Sequence, residues 1–177
     1  MRQVSIDIET LGTAETAIIL SIGAVAFNGA EILQPGFYTA VDIQNQFDLG
    51  RTCTGDTIKW WLQQSKSAQT AAFLSGHAPT LSDALQELTL WYGNKNDVPI
   101  WAKPSTFDIS ILQHAYQMCG LRPPWHYRSV RCLSTLMRTF PAIHPEARAG
   151  VEHNAYDDAL EQALFIQKLL EQTGGKR

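Results

Sequence analysis

The residues of this chain best suited to chemistry are acids, and the first two define the problem. Asp7 and Glu9 stand two apart in Val4-Ser5-Ile6-Asp7-Ile8-Glu9-Thr10-Leu11-Gly12. Residues i and i+2 of a strand share a face, so the two carboxylates project side by side, able to share one metal ion or hold two. Thr10-Leu11-Gly12 then turns the chain away and leaves them near a strand end. The same alternation also describes a half-exposed strand, with Val4, Ile6 and Ile8 inward and Ser5, Asp7 and Glu9 outward. Adjacent like charges on one strand face repel, so the pair calls for partners elsewhere in the chain.

Two further acids sit on apolar stripes. A helix capped by Ser105 or Thr106 and running to about Cys119 has the stripe Ile111, Leu112, Ala115 and Cys119, and Asp108 falls on it. A helix-start acid favoured by the dipole is the alternative reading. In the last helix, about Asn154 to Gln172, Asp158 aligns with Phe165 and Leu169, whereas Asp157 aligns with Glu161 and Lys168. Asp158 is therefore the inward candidate and Asp157 the solvent-side one. His153 lies five residues before Asp158; alone it would read as an ordinary surface histidine. Four converging acids are intolerable without cations. Hard divalent ions with oxygen ligands answer that, and Mg²⁺ suits a few carboxylates plus a substrate phosphate.

The elements that must position these residues read as a mixed α/β domain. After the acidic strand, Ile18 to Phe27 is an apolar, central strand, Asn28-Gly29 a hairpin turn, and Gly36 to Val41 the next strand. The three form an antiparallel meander. Short helices follow at Thr57–Gln64, capped by Thr54 or Asp56, and at Ser67–Phe73. A longer helix starts at Thr80 and is stopped by Gly93-Asn94. Val98 to Ala102 is a short strand, Val130 to Thr139 a helix, and 141–152 a loop.

With 177 residues, the chain suits one domain, 1–173, with a frayed tail at 174–177. Its net charge of −3, from 14 Lys+Arg and 17 Asp+Glu, does not fit a protein that grips nucleic acid by bulk charge. With four carboxylates committed to metal the balance becomes 14 − 13 = +1. Cys53, Cys119 and Cys132 are odd in number and lack C-x-x-C spacing, which fits reduced thiols in a cytoplasmic protein. The apolar run from Ala17 to Phe27 is too short to span a bilayer, and no leader precedes the first strand.

In order and spacing, these pieces resemble the DEDDh family of 3′–5′ exonucleases, which have a ribonuclease H-like fold. Asp7-Ile8-Glu9 is similar to the family's first motif, Phe107-Asp108 to its second, and His153-Asn154-Ala155-Tyr156-Asp157-Asp158 to its third. A narrower likeness, to the exodeoxyribonuclease VIII-like phage and prophage branch, lies in Ile19–Val25, Thr57–Leu62 with Gln64-Ser65, and Trp101-Ala102. The resemblance implies a mixed central sheet flanked by helices and two Mg²⁺ or Mn²⁺ ions per site. Asp7, Glu9, Asp108 and Asp158 would be the ligands and His153 the general base. It further implies hydrolysis of single-stranded DNA or RNA from the 3′ end to nucleoside 5′-monophosphates, and a homodimer. Thr10, Leu11 and Gly12 would hold the 3′-terminal nucleotide. Trp61, Trp101 and Phe107 could stack bases, with core packing as the competing role and the favoured one for Trp60. Lys103-Pro104 departs from the branch's Asn and small residue, and Lys103 could instead meet a phosphate.

Two other readings stay open. An acid-x-acid pair also serves sugar-nucleotide transferases, for which the chain is small. A non-catalytic nucleic-acid-binding module on a ribonuclease H-like scaffold would also carry these elements.

Overall fold

The computed structural model describes residues 1–177 except 74–75, 77, 94–96, 147–149 and 175–177. Asn94 and most of the expected tail thus lie outside the described residues. The first three strands, β1 (Gln3–Thr10), β2 (Ile19–Phe27) and β3 (Ile32–Ala40), form the expected antiparallel meander. The strand order is β3-β2-β1-β4-β5, with β4 (Ile100–Ala102) and β5 (Val130–Cys132) parallel to β1. Between β3 and β4 lie α1 (Ile43–Asp48), α2 (Gly55–Trp61), α3 (Lys66–Phe73) and α4 (Leu81–Tyr92). After β4 come α5 (Ser105–Met118), then α6 (Leu133–Thr139) and α7 (Ala155–Gln172) on either side of the 141–152 segment. The sheet is mixed and flanked by helices on both faces, which is the ribonuclease H-like α/β architecture.

The alternation in β1 divides the molecule. Val4, Ile6 and Ile8 join a core with Leu81, Leu85 and Leu88 of α4 and Ile109, Leu112 and Ala115 of α5. On the opposite face Val25, Phe27 and Trp101 pack on Ala159, Ala163, Phe165, Ile166 and Leu169 of α7. Every residue of β2 is buried, as its unbroken apolar run requires of a strand covered on both faces.

Several boundaries differ from expectation. β3 begins at Ile32 rather than Gly36, because Asn28 Oδ1 accepts the N–H groups of Ala30 and Glu31 and closes a four-residue turn that lets Ile32 pair with Phe27. Val130–Cys132 is a strand, not the first turn of a helix, since it pairs with β4 from Ile100 to Ala102. Three residues show too little periodicity to reveal this. Helix α1 was not expected; Asp42 caps it, and its buried Gln46 exchanges hydrogen bonds with both backbone groups of Ile19 at 2.8 and 2.7 Å. Neither Ser105 nor Thr106 caps α5; the N-cap is Pro104.

Gly23 fixes how closely α7 approaches the sheet. It is the partner of Asp7 across the β1–β2 ladder, and a Cβ there would land on the Ala155 backbone at the start of α7. Glycine inside an otherwise apolar strand marks such a close approach. Replacing Gly23 with Ala should push the α7 N-terminus outward and destabilise the fold by about 1–3 kcal/mol, the range for overpacking. Urea denaturation checks this; wild-type stability would show that α7 is not held by this contact.

Candidate active site

The acids meet at the C-terminal end of β1, the usual position for a site in an open α/β sheet. Three origins converge there. Asp7 and Glu9 come from the α7-facing side of β1, Asp108 from the first turn of α5, and Asp158 from the first turn of α7. Ligand atoms of Glu9, His153 and Asp158 all lie within 4.8 Å of one another. Residues near the two ends of the chain therefore share one point in space. Asp7, Lys103, His153, Asp158 and Gln162 line a cleft of about 260 Å³ beside it.

Each acid is held by its neighbours. Asp108, 2% exposed, accepts the Ile8 N–H on Oδ1 at 3.1 Å, while its buried Oδ2 has no protein partner. Asp7 Oδ1 accepts from Gln162 Nε2 at 2.8 Å. Asp158 Oδ2 accepts the His153 N–H at 3.1 Å. That bond needs His153 in the left-handed region, at φ 62°, just ahead of the Asn154 cap of α7. Asp157 points elsewhere: its Oδ2 takes the Val151 N–H at 2.8 Å. It lines a larger cavity of about 650 Å³, together with Glu161 and Lys168, that contains none of the four site acids. The helix phase turns Asp158 rather than Asp157 toward Glu9 and His153, but Asp157 is half-buried like Asp158 instead of facing solvent.

The electrostatics follow from this crowding. Burial, then the charges of Asp108 and Glu9, hold the Asp7 carboxyl well above its usual 3.8, against the Gln162 donor and Lys103. Burial pushes Asp108 up to about 7, opposed by backbone donors at Ile8, Asp108 and Lys103. An all-oxygen donor set with an orphaned buried Asp108 Oδ2 fits a hard divalent ion: metal replaces the protons these groups otherwise retain.

A second cleft, about 450 Å³, opens on the other side of Glu9 and is lined by Thr10, Gly12, Asp56, Trp60 and Phe107 among others. Leu11 lies just outside it, 6% exposed, with its N–H and C=O bonded to Ile18 and Thr54. The two tryptophans reverse their expected places. Trp61 is 2% exposed, packs with Leu11, Ile18 and Leu20, and donates its indole N–H to Thr10 O at 2.9 Å, so it cannot present a face to a base. Trp60 is 40% exposed and meets the His153 ring edge-on at 4.6 Å. Adjacent residues on a helix diverge by about 100°, so one indole must leave the core; the sequence alone did not say which. Trp101 is buried too, with its N–H on Gln3 Oε1. Gln162 was missed, although it stands four residues after Asp158 on the same inward row.

Comparisons with known proteins agree with this geometry. A family model described as the 3′-5′ exoribonuclease Rv2179c-like domain matches residues 2–170. The chain belongs to that family, and it is a 3′–5′ exonuclease. Its fold is similar to the nuclease domain of 3′hExo, a DEDDh family member, bound to rAMP; the TM-score is 0.64 at 16% identity, over 99% of this chain and 94% of that one. It is also similar to exonuclease X in complex with 5′ overhanging duplex DNA, with a TM-score of 0.61 at 16% identity, over 97% and 93%. Cell-death related nuclease 4 matches with a TM-score of 0.61 at 14% identity, over 97% of this chain and 64% of that one. No curated protein sequence matches the chain. Among the described residues no helix is long and apolar enough to cross a membrane.

The raised carboxyls give a sign that can be checked. Asp7 and Asp108 titrate higher folded than unfolded, so the metal-free fold binds extra protons and their contribution to stability falls as pH rises from about 4 toward about 7. Melting in chelator at pH 5 and pH 8 should show a lower midpoint at pH 8, and Mg²⁺ or Mn²⁺ should remove that deficit. A midpoint insensitive to metal at pH 8 would contradict the site.

Proposed function

We propose that residues 1–173 form a metal-dependent exonuclease domain that degrades single-stranded RNA from its 3′ end to nucleoside 5′-monophosphates. The observation that carries this reading is the meeting of Glu9, His153 and Asp158 within 4.8 Å, beside a cleft lined by Asp7. The family's description as an exoribonuclease supports RNA over DNA. The three free thiols suit a reducing, cytoplasmic setting. The likeness of Ile19–Val25 and Thr57–Ser65 to the exodeoxyribonuclease VIII-like branch is part of the same proposal.

Asp7, Glu9, Asp108 and Asp158 would hold two divalent ions, Mg²⁺ or Mn²⁺. Such ions would supply acidification of the attacking water and neutralisation of charge on the departing 3′ oxygen. The remaining roles belong to the chain. Neutral His153 takes the proton from the water through its ring, steadied by Trp60 on one side and by the bond from its own N–H to Asp158. The cleft beyond Glu9 takes the terminal nucleoside, with Trp60 and Phe107 against the base and Thr10 and Gly12 beside the sugar. Leu11, just outside that cleft, backs the Thr10–Gly12 turn from the core. Lys103, exposed in the opposite cleft, meets the phosphate. A free 3′ end is the substrate expected beside Glu9 and the Thr10–Gly12 turn.

A kinetic panel on end-labelled single-stranded RNA and DNA tests this. Asp158→Asn should abolish hydrolysis and Asp157→Asn should not. His153→Ala should lower kcat by roughly 10²–10⁴-fold. Trp60→Ala should raise KM by the equivalent of about 1–3 kcal/mol of lost stacking and lower kcat by less than His153→Ala does. An active Asp158→Asn enzyme would reject the ligand set, and faster hydrolysis of DNA than RNA would reject the substrate class.

A further inference from the structure

We infer that Gln162 is a positioning residue for the metal site: its side-chain amide donates to Asp7 Oδ1 and fixes the orientation in which that carboxylate meets a divalent ion. The inference rests on the proposed metal-binding role of Asp7.

Gln162 sits on α7 one turn after Asp158, so a single rigid helix carries both a ligand and the group that orients a ligand from β1. The residue is 7% exposed, flanked on α7 by buried Ala159, Ala163 and Ile166, at the edge of the cleft that Asp7 and Asp158 line. A polar side chain in that setting needs a reason. The Nε2–Asp7 Oδ1 bond of 2.8 Å supplies one, since it ties β1 to α7 across 155 residues of sequence. The other amide atom, Oε1, is buried without a partner. The side chain is therefore not satisfied as a core packing element would be; it is placed for the one bond to Asp7.

Charge explains why an amide stands here. Lys or Arg would compete with the ions for Asp7, and Glu or Asp would add a further negative group beside Asp7 and Asp158. A neutral N–H donor fixes the carboxylate and leaves its charge for the metal. It acts on one oxygen of Asp7, leaving the second oxygen and the remaining lone pair of the first for coordination. Such outer partners of metal ligands typically change metal affinity or activity by 10–100-fold when removed.

The test uses Gln162→Met, which matches the chain length and helix preference but lacks the donor, with Gln162→Leu as a second replacement. Mn²⁺ binding to wild type and variants is measured by titration calorimetry, with thermal melting alongside. Mn²⁺ affinity should fall about 10–100-fold, while KM for RNA stays near wild type and kcat drops at fixed subsaturating metal. Wild-type Mn²⁺ affinity in either folded variant would overturn the role. A measurement on the unsubstituted protein covers the case in which both variants misfold: the Gln162 side-chain amide resonances should shift on Mg²⁺ addition, and resonances indifferent to Mg²⁺ would overturn it equally. Failure of the wild-type protein to bind Mn²⁺ at all would instead reject the proposed function.

Discussion

The structure depends on balancing apolar burial against repulsion among carboxylates. Ligand atoms of Glu9 and Asp158 lie within 4.8 Å of each other, and at that distance two full negative charges repel by roughly 3 kcal/mol at an effective dielectric near 20. Burying Phe165, Ile166 and Leu169 on the sheet gives on the order of 5–9 kcal/mol, at about 1.5–3 for each side chain. Packing of α7 therefore outweighs one such repulsion but not several at once. The rest must come from protons, as the raised Asp7 and Asp108 carboxyls indicate, or from doubly charged ions. The fold brings the acids together, and their partner decides whether they stay comfortably charged.

That balance also explains the division of labour around β1. One face of the strand is committed to α4 and α5 through Val4, Ile6 and Ile8; the other lies under α7 and carries Asp7 and Glu9 at the site. Gly23 lets the start of α7 rest on the sheet opposite Asp7, so Asp158 and His153 arrive with the cap of the same helix. Two clefts flank the cluster, one lined largely by polar and charged residues and containing Lys103, the other lined by Trp60 and Phe107.

Much of this was legible in the sequence because it rests on local periodicity. The two-residue spacing of Asp7 and Glu9 and the helical phase of Asp158 against Phe165 and Leu169 each put an acid on its correct face. So did the position of Asp108 on its stripe. What the sequence hid depends on pairing in space. Val130–Cys132 is a strand only because β4 lies beside it, and Trp60 rather than Trp61 faces out only because Leu11, Ile18 and Leu20 fill the inner side of α2. Gln162 looked like a polar helix residue, since nothing local tells that Asp7 lies within hydrogen-bonding distance. The glycine in β2 was visible, but the helix it admits was not.

The central claim is that divalent ions join carboxylates from β1, α5 and α7. Anomalous diffraction from crystals soaked in Mn²⁺ tests it most directly. The account predicts anomalous peaks among Asp7, Glu9, Asp108 and Asp158, at coordinating distance from their oxygens. A fully soaked crystal with no peak there, or with Mn²⁺ bound only elsewhere, would contradict it.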